Sequence, residues 1–240
     1  MAAEVQTRTV SRKIKERPKA VLFDFGGTLD ADGVAWKERF YPLYLAEHVD
    51  VDWDRYVRAY YVGDDALVAQ RRSDCSFRDS LLFQIMGVLG ALHIADAGLA
   101  SRLCDRFLQD SLDQIRVNLD LLRELSQRFQ LGIISNFYGN LERVCLECEL
   151  TPLMSVLVDS ARVGFTKPDP RIFQIALSQL QLDPQDAIFV GDSLPRDMQG
   201  AKQLGMPHIW LIPDRSDACV PCCEDDVTIR SLTDLREVLL

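Results

Sequence analysis

Five short apolar runs constrain the fold of this chain more than any other feature: AVLF from Ala20, LGII from Leu131, SVLV from Ser155, AIFV from Ala187 and HIWLI from His208. None alternates apolar with polar residues, so each predicts a strand buried on both faces. Helical periodicity fills the later intervals. Ile172, Ile175, Ala176 and Leu180 share one face, behind Asp169-Pro170, a cap followed by a first-turn proline. Gly205 is placed to close a helix that begins near Pro195. Strand-helix alternation of this kind predicts an α/β fold, a Rossmann-like parallel sheet with helices on both faces.

The interval from Trp36 to Asp110 breaks the alternation. It carries amphipathic helical patterns and no convincing strand, so it reads as a small all-helical cap over the sheet. Leu119 to Arg128 then returns as a core helix, and Asp226 to Leu240 adds an edge strand and a last helix. The expected organisation is a basic N-terminal extension over 1–18, an α/β core from 19–33 and 112–240, and a cap over 34–111. Trp36, Tyr41, Tyr44, Trp53, Tyr56, Tyr60 and Tyr61 fit the core of a helix bundle better than the wall of a pocket.

Charge and composition exclude several classes. A net charge of −9 repels nucleic acid phosphates, so no nucleic-acid partner is expected. No apolar run is long enough to cross a bilayer, and the polar, basic opening segment lacks a signal peptide's apolar stretch. The expected location is cytoplasmic, with no membrane partner. Seven cysteines, an odd number, argue against a disulfide framework. Cys145/Cys148 and Cys219/Cys222 have the C-x-x-C spacing of a zinc knuckle, with Cys223, Cys75 and Cys104 elsewhere. Cys145 and Cys148 fall within a helical pattern, where buried thiols simply pack. His48, His93 and His208 form no ligand pattern, and Arg71-Arg72 reads as a solvated pair.

In open parallel sheets, ligands collect beyond the carboxyl ends of the strands. The chemically interesting residues all lie there. Asp24 follows the first run, in DFGGTL; Ser135-Asn136 follow the second. Lys167 stands after the third, in GFTKPDP, and Gly191-Asp192-Ser193 end the fourth, with Asp197 five residues after Asp192. Two carboxylates converging on one point, Asp24 and Asp192, need a cation or a shared proton. Oxygen ligands with positions left for water and phosphate suit Mg²⁺. Lys167 and Ser135 would hold phosphate oxygens, helped by amides around Thr28 and Asn136. Asp24 would then attack in line, forming an aspartyl-phosphate that water cleaves.

These residues resemble the haloacid dehalogenase superfamily over about residues 20 to 213, with its four motifs at Asp24–Leu29, Ser135-Asn136, Lys167-Pro168 and Gly191-Asp192-Ser193 through Asp197. The resemblance implies that Asp24 is the nucleophile, Asp192 a magnesium ligand and Asp197 its support. Ser135 and Lys167 would bind and polarise phosphate, and the helical insertion would close over the substrate as a mobile cap. The substrate class implied is a small phosphorylated molecule; the oligomeric state stays open.

One departure matters. Phosphatases of this family usually carry a second aspartate two residues after the nucleophile, as general acid and base. Here that position is Gly26. In the family the backbone carbonyl there ligates the metal, so glycine can keep metal binding while losing proton transfer. Asp30 and Asp32 follow in the same loop as stand-ins for the acid, although helix capping or solvation accounts for them equally simply. Two further functions stay open: a 2-haloacid dehalogenase, which needs no leaving-group acid, and a non-catalytic binding protein on the same fold.

Overall fold

The apolar runs form strands because most of their residues are buried, leaving hydrogen bonding to neighbouring strands as the outlet for their peptide groups. The computed structural model describes residues 18–70, 73–213 and 227–240. The basic extension up to residue 17, Arg71-Arg72 and Cys219, Cys222 and Cys223 lie outside the described residues.

Six strands are present: β1 (Ala20–Phe23), β2 (Gln130–Ser135), β3 (Val156–Asp159), β4 (Ala187–Gly191), β5 (His208–Leu211) and β6 (Val227–Ile229). They form one sheet in the order β3-β2-β1-β4-β5-β6, every neighbouring pair parallel. The helices are α1 (Trp36–Ala46), α2 (Trp53–Gln70), α3 (Phe77–Ala91), α4 (Ala97–Ser126), α5 (Leu141–Glu147), α6 (Ser160–Val163), α7 (Pro170–Leu180), α8 (Gln199–Gln203) and α9 (Leu235–Leu239). No helix among the described residues is long and apolar enough to cross a membrane.

Alternate residues of each strand serve opposite faces. Val21, Phe23, Ile133, Ile188 and Val190 pack with Leu122 and Leu125 of α4 on one side. Ala20, Leu22, Ile134 and Phe189 pack with Ile172, Phe173 and Ala176 of α7 on the other. Asp169 caps α7 by accepting from the Arg171 amide, and Pro170 opens the helix, as the sequence predicts. The segment from Pro195 to Gly205 is less regular than expected. A wide helical turn at Leu194–Met198 precedes α8, and Gly205 closes the segment with φ at 66°.

The insertion is helical, as expected, but its junction with the core is not a break. The last cap helix and the core helix expected from Leu119 to Arg128 are one element, the 30-residue α4. Asp96 caps its start by accepting from the Leu99 amide. From Leu99 to Ser126 there is no glycine or proline to interrupt it. Its buried stripe runs Leu103, Phe107, Ser111, Ile115, Asn118, Leu122 and Leu125, so one face serves the cap first and the sheet afterwards.

Strand order places the crevice. The chain leaves β1 for β2 and β3 on one side and returns to β4 on the other, so the switch point lies between the carboxyl ends of β1 and β4. Phe23 pairs with Val190 there, and the Asp24 amide donates to the Val190 carbonyl at 3.0 Å.

Phe173 is fully buried and meets Phe189 edge-on at 5.0 Å between ring centres. Phe173→Ala should lower stability by about 3–5 kcal/mol, the usual cost of emptying an aromatic core site. Urea denaturation should show a lower midpoint with the slope unchanged.

Candidate active site

The loop after β1 begins with Asp24, whose carboxylate accepts from its neighbour's amide, Phe25 N, at 2.7 Å. The chain then makes a wide helical turn over Phe25–Leu29. Gly27 sits in that turn at φ 88°, and a Cβ built there would lie 2.6 Å from Asp192 Oδ2. Only glycine meets both demands, a left-handed backbone and a carboxylate pressed against it. This packing seats the β1 loop against the end of β4.

Around that junction the predicted polar residues meet. Ser135 Oγ donates to Asp24 Oδ1 at 2.8 Å, and Lys167 Nζ lies 2.8 Å from the same oxygen. Lys167 Nζ is also 2.7 Å from Asp197 Oδ1, while Asp197 Oδ2 accepts from Ser193 N at 2.9 Å. Oxygens of Asp24, Asp192 and Asp197 all lie within 4.8 Å of one another. Burial alone would push the Lys167 ammonium down, but Asp197 and Asp24 outweigh it and hold Lys167 above its ordinary value. Burial pushes Asp192 well up from the carboxylate range, and the charges of Asp197 and Asp24 add to it. Asp197 is pushed up to about 6 by burial, with Lys167 opposing. Lys167 contacts two of the three carboxylates and the nearby Arg196 charge acts on all three, which still leaves negative charge that a divalent cation would balance.

Two predicted phosphate-binding residues are engaged differently. The buried Thr28 hydroxyl donates to Asp192 Oδ1 at 2.9 Å, so it holds a carboxylate instead of facing the cavity. The Asn136 side chain clamps the backbone of Lys167, accepting from Lys167 N at 2.7 Å and donating to Lys167 O at 3.1 Å. Asn136 thereby positions the lysine; it neither caps a helix nor holds the nucleophile loop.

Neither Asp30 nor Asp32 caps the first helix of the insertion, which begins behind Ala35 without a side-chain cap. Asp30 is fully buried. Its Oδ1 accepts from Gly27 N at 2.7 Å. Its Oδ2 accepts from Trp36 Nε1 at 2.8 Å, Arg39 Nη1 at 2.7 Å and Ser111 Oγ at 3.0 Å. Asp32 turns the other way, accepting from Ser231 Oγ and Leu232 N near the C-terminal end. Trp36 opens α1 with no side-chain cap from Ala35.

Gly26 has ordinary backbone angles, φ −75° and ψ 120°, so its conformation does not require glycine. Space is tight instead: a Cβ there would lie 3.1 Å from Trp36 Nε1 and 3.3 Å from Cε2, so a side chain would need the indole to give by a few tenths of an ångström. The indole that Asp30 anchors covers the position of the missing acid.

These groups open onto a cavity of about 850 Å³, whose lining includes Asp24, Ser135, Asn136, Lys167 and Asp192 on the core side. Trp36, Tyr60 and Tyr61 of the cap line it too, although Tyr44 and Tyr56 are core residues as expected. Among the lining residues that escaped the sequence reading are Asp64, Tyr138 and Arg196. Asp64 lies in an ordinary acidic helix pattern, and Tyr138 in a loop whose direction depends on the fold, so neither had a local signature. Cys75, Cys104, Cys145 and Cys148 are buried thiols. Burial pushes the Cys148 thiol up to about 12 and Cys145 higher still, as packing residues should behave. His48 and His93 follow α1 and α3 in left-handed conformation, away from any ligand cluster among the described residues.

Replacing Asp30 removes the acceptor of four donors and leaves Arg39, whose side chain is only 13% exposed, without its partner. Asp30→Ala should cost about 3–5 kcal/mol, the penalty for stranding one member of a buried ion pair. Equilibrium denaturation would check it, and a loss below about 1 kcal/mol would show the network to be dispensable.

The protein named haloacid dehalogenase-like hydrolase domain-containing protein 3 of Bos taurus is 34% identical over 130 residues, 52% of this chain and 51% of that one. Glyceraldehyde 3-phosphate phosphatase of Pyrococcus abyssi is 40% identical over 92 residues, 38% of this chain and 37% of that one. The crystal structure of a defluorinating L-2-haloacid dehalogenase superposes with a TM-score of 0.59, covering 95% of this chain and 98% of that one. At 21% identity this likeness shows the fold alone. The chain spans between about a third and two thirds of the length of the curated relatives it matches. The sequence pattern of haloacid dehalogenase-like hydrolases matches residues 18–205, and on that match the chain belongs to this family.

Proposed function

We propose that the chain is a magnesium-dependent phosphatase of small phosphorylated molecules, working through an aspartyl-phosphate on Asp24. The observation that carries this reading is the buried Lys167 ammonium, in contact with Asp24 and Asp197 where Ser135 also reaches Asp24. A lysine and a hydroxyl beside a carboxylate nucleophile supply what attack on an anionic ester needs: charge to offset repulsion and donors for phosphate oxygens.

Asp24, Asp192 and Asp197, with the Gly26 carbonyl, would hold Mg²⁺. Their clustered oxygens are the hard donors that ion takes, and their uncompensated charge fits it. Bound there, Mg²⁺ would neutralise charge on the transferring phosphoryl group. The rest falls to the protein. Phe25 N, Ser135 Oγ and Lys167 Nζ converge on Asp24 Oδ1 and fix the carboxylate for in-line attack. Asn136 and Thr28 hold Lys167 and Asp192 in place. Gly26 supplies no proton to the leaving oxygen. Positioned acid-base catalysis is typically worth about 10²–10⁴ in rate, so its absence weighs most on esters with poor leaving groups.

Dehalogenation is the second reading, since it too uses an aspartate nucleophile and dispenses with a leaving-group acid. Three clustered carboxylates favour phosphate chemistry, because halide displacement has no use for a divalent ion. A binding protein without catalysis would have no need of so much buried charge.

With Mg²⁺ present, 4-nitrophenyl phosphate should be hydrolysed, and turnover should fall to background in Asp24→Asn and on adding EDTA. Aryl phosphates should outpace alkyl phosphates in kcat/KM. Equal, high turnover of both would show that another group supplies the proton that Gly26 cannot. Halide release from a 2-chloro acid without Mg²⁺ would reverse the order of the two readings.

A further inference from the structure

We propose that Asp64, on cap helix α2, is the general acid and base of this site, taking over the proton transfer that position 26 cannot perform. The inference rests on the phosphatase reading and extends it. In-line displacement places the leaving oxygen on the side of phosphorus away from Asp24, so its proton must come from a group facing the cavity. Among the described residues, the carboxyl groups lining that cavity are Asp24, Glu38, Asp64 and Asp192.

Elimination leaves Asp64. Asp24 is the nucleophile, and Asp192 is assigned to the metal. Glu38 is exposed and ion-paired with Lys37 at 2.8 Å. Asp30 and Asp32, the nearest acids in sequence, are bound elsewhere and do not line the cavity.

Positive evidence agrees. Asp64 is half-buried, and its Oδ1 accepts from the Tyr138 hydroxyl at 2.6 Å. Tyr138 lies three residues after Ser135, so the loop that brings a hydroxyl to Asp24 also seats the cap carboxyl. Burial raises the Asp64 pKa, opposed by the Tyr138 bond and the Arg196 charge, and Asp65 adds to the rise. Tyr60, Tyr61 and Arg196 line the same cavity. A carboxyl so placed keeps its proton to higher pH than a solvated one, as a general acid must.

The chemistry balances. As Asp24 bonds to phosphorus, the ester P–O bond breaks, its electron pair stays on the leaving oxygen, and that oxygen takes the Asp64 proton. Asp64, now a carboxylate, takes a proton from the water that attacks the aspartyl-phosphate. Phosphate leaves, and Asp24 is again a carboxylate.

The test uses the full chain with Mg²⁺ and two esters, 4-nitrophenyl phosphate and benzyl phosphate, the second having the poor leaving group. In Asp64→Asn, the benzyl-to-nitrophenyl ratio of kcat/KM should fall by about 10²-fold. A burst of nitrophenolate matching the enzyme concentration should also appear, because hydrolysis of the aspartyl-phosphate has lost its base. Tyr138→Phe removes a donor that favours the Asp64 carboxylate and so raises its pKa. The alkaline limb of kcat/KM for benzyl phosphate should then move to higher pH, a shift that a merely structural role would not produce. An unchanged ratio without a burst, or equal losses on both esters with the limb unmoved, overturns the role of Asp64 while leaving the phosphatase reading intact. A wild-type chain inert toward both esters overturns the phosphatase reading itself, and the Asp64 proposal falls with it.

Discussion

The Lys167 ammonium, held between Asp24 and Asp197, is the contact on which the geometry of this site turns. A buried ion stranded without its partner costs several kcal/mol, so the fold must deliver both carboxylates to it. That demand reaches far along the chain. Asp24 stands at the end of β1, Asp197 in the turn after β4, and Lys167 in the loop after β3, where Asn136 grips its backbone from the end of β2. Four strand ends therefore answer to one charge. The strand order that brings β1 beside β4 is what makes the arrangement possible.

A second buried carboxylate does for the cap what this cluster does for the core. Asp30 ties the Gly27 amide of the nucleophile loop to Trp36 and Arg39 of α1 and to Ser111 of α4. Asn140 adds a clasp from the core, donating to the Cys75 carbonyl and to Ser80 Oγ of α3. The continuous α4 completes the join. The loop that carries Asp24 and the helices of the insertion are thus parts of one hydrogen-bonded assembly.

Much of this was legible in the residues themselves. Apolar runs without alternation betrayed the buried parallel strands, and the polar residues at their ends betrayed the cluster, because strand ends in such sheets share one edge. What could not be read was direction. The side-chain bonds of Thr28 and Asn136 could not be read, since a side chain's bonding partner depends on neighbours more than twenty-five residues away. Asp30 and Asp32, two residues apart, face opposite structures for the same reason. The continuity of α4 was missed because its burial pattern changes partners midway without changing period.

Glycine at position 26 is more than a subtraction. Because the Trp36 ring would lie 3.1 Å from an added Cβ, the two positions are coupled, and Asp30 couples them further by holding the ring. A side chain introduced at position 26 therefore presses on the indole, and through it on the buried carboxylate that also holds the Gly27 amide, Arg39 and Ser111.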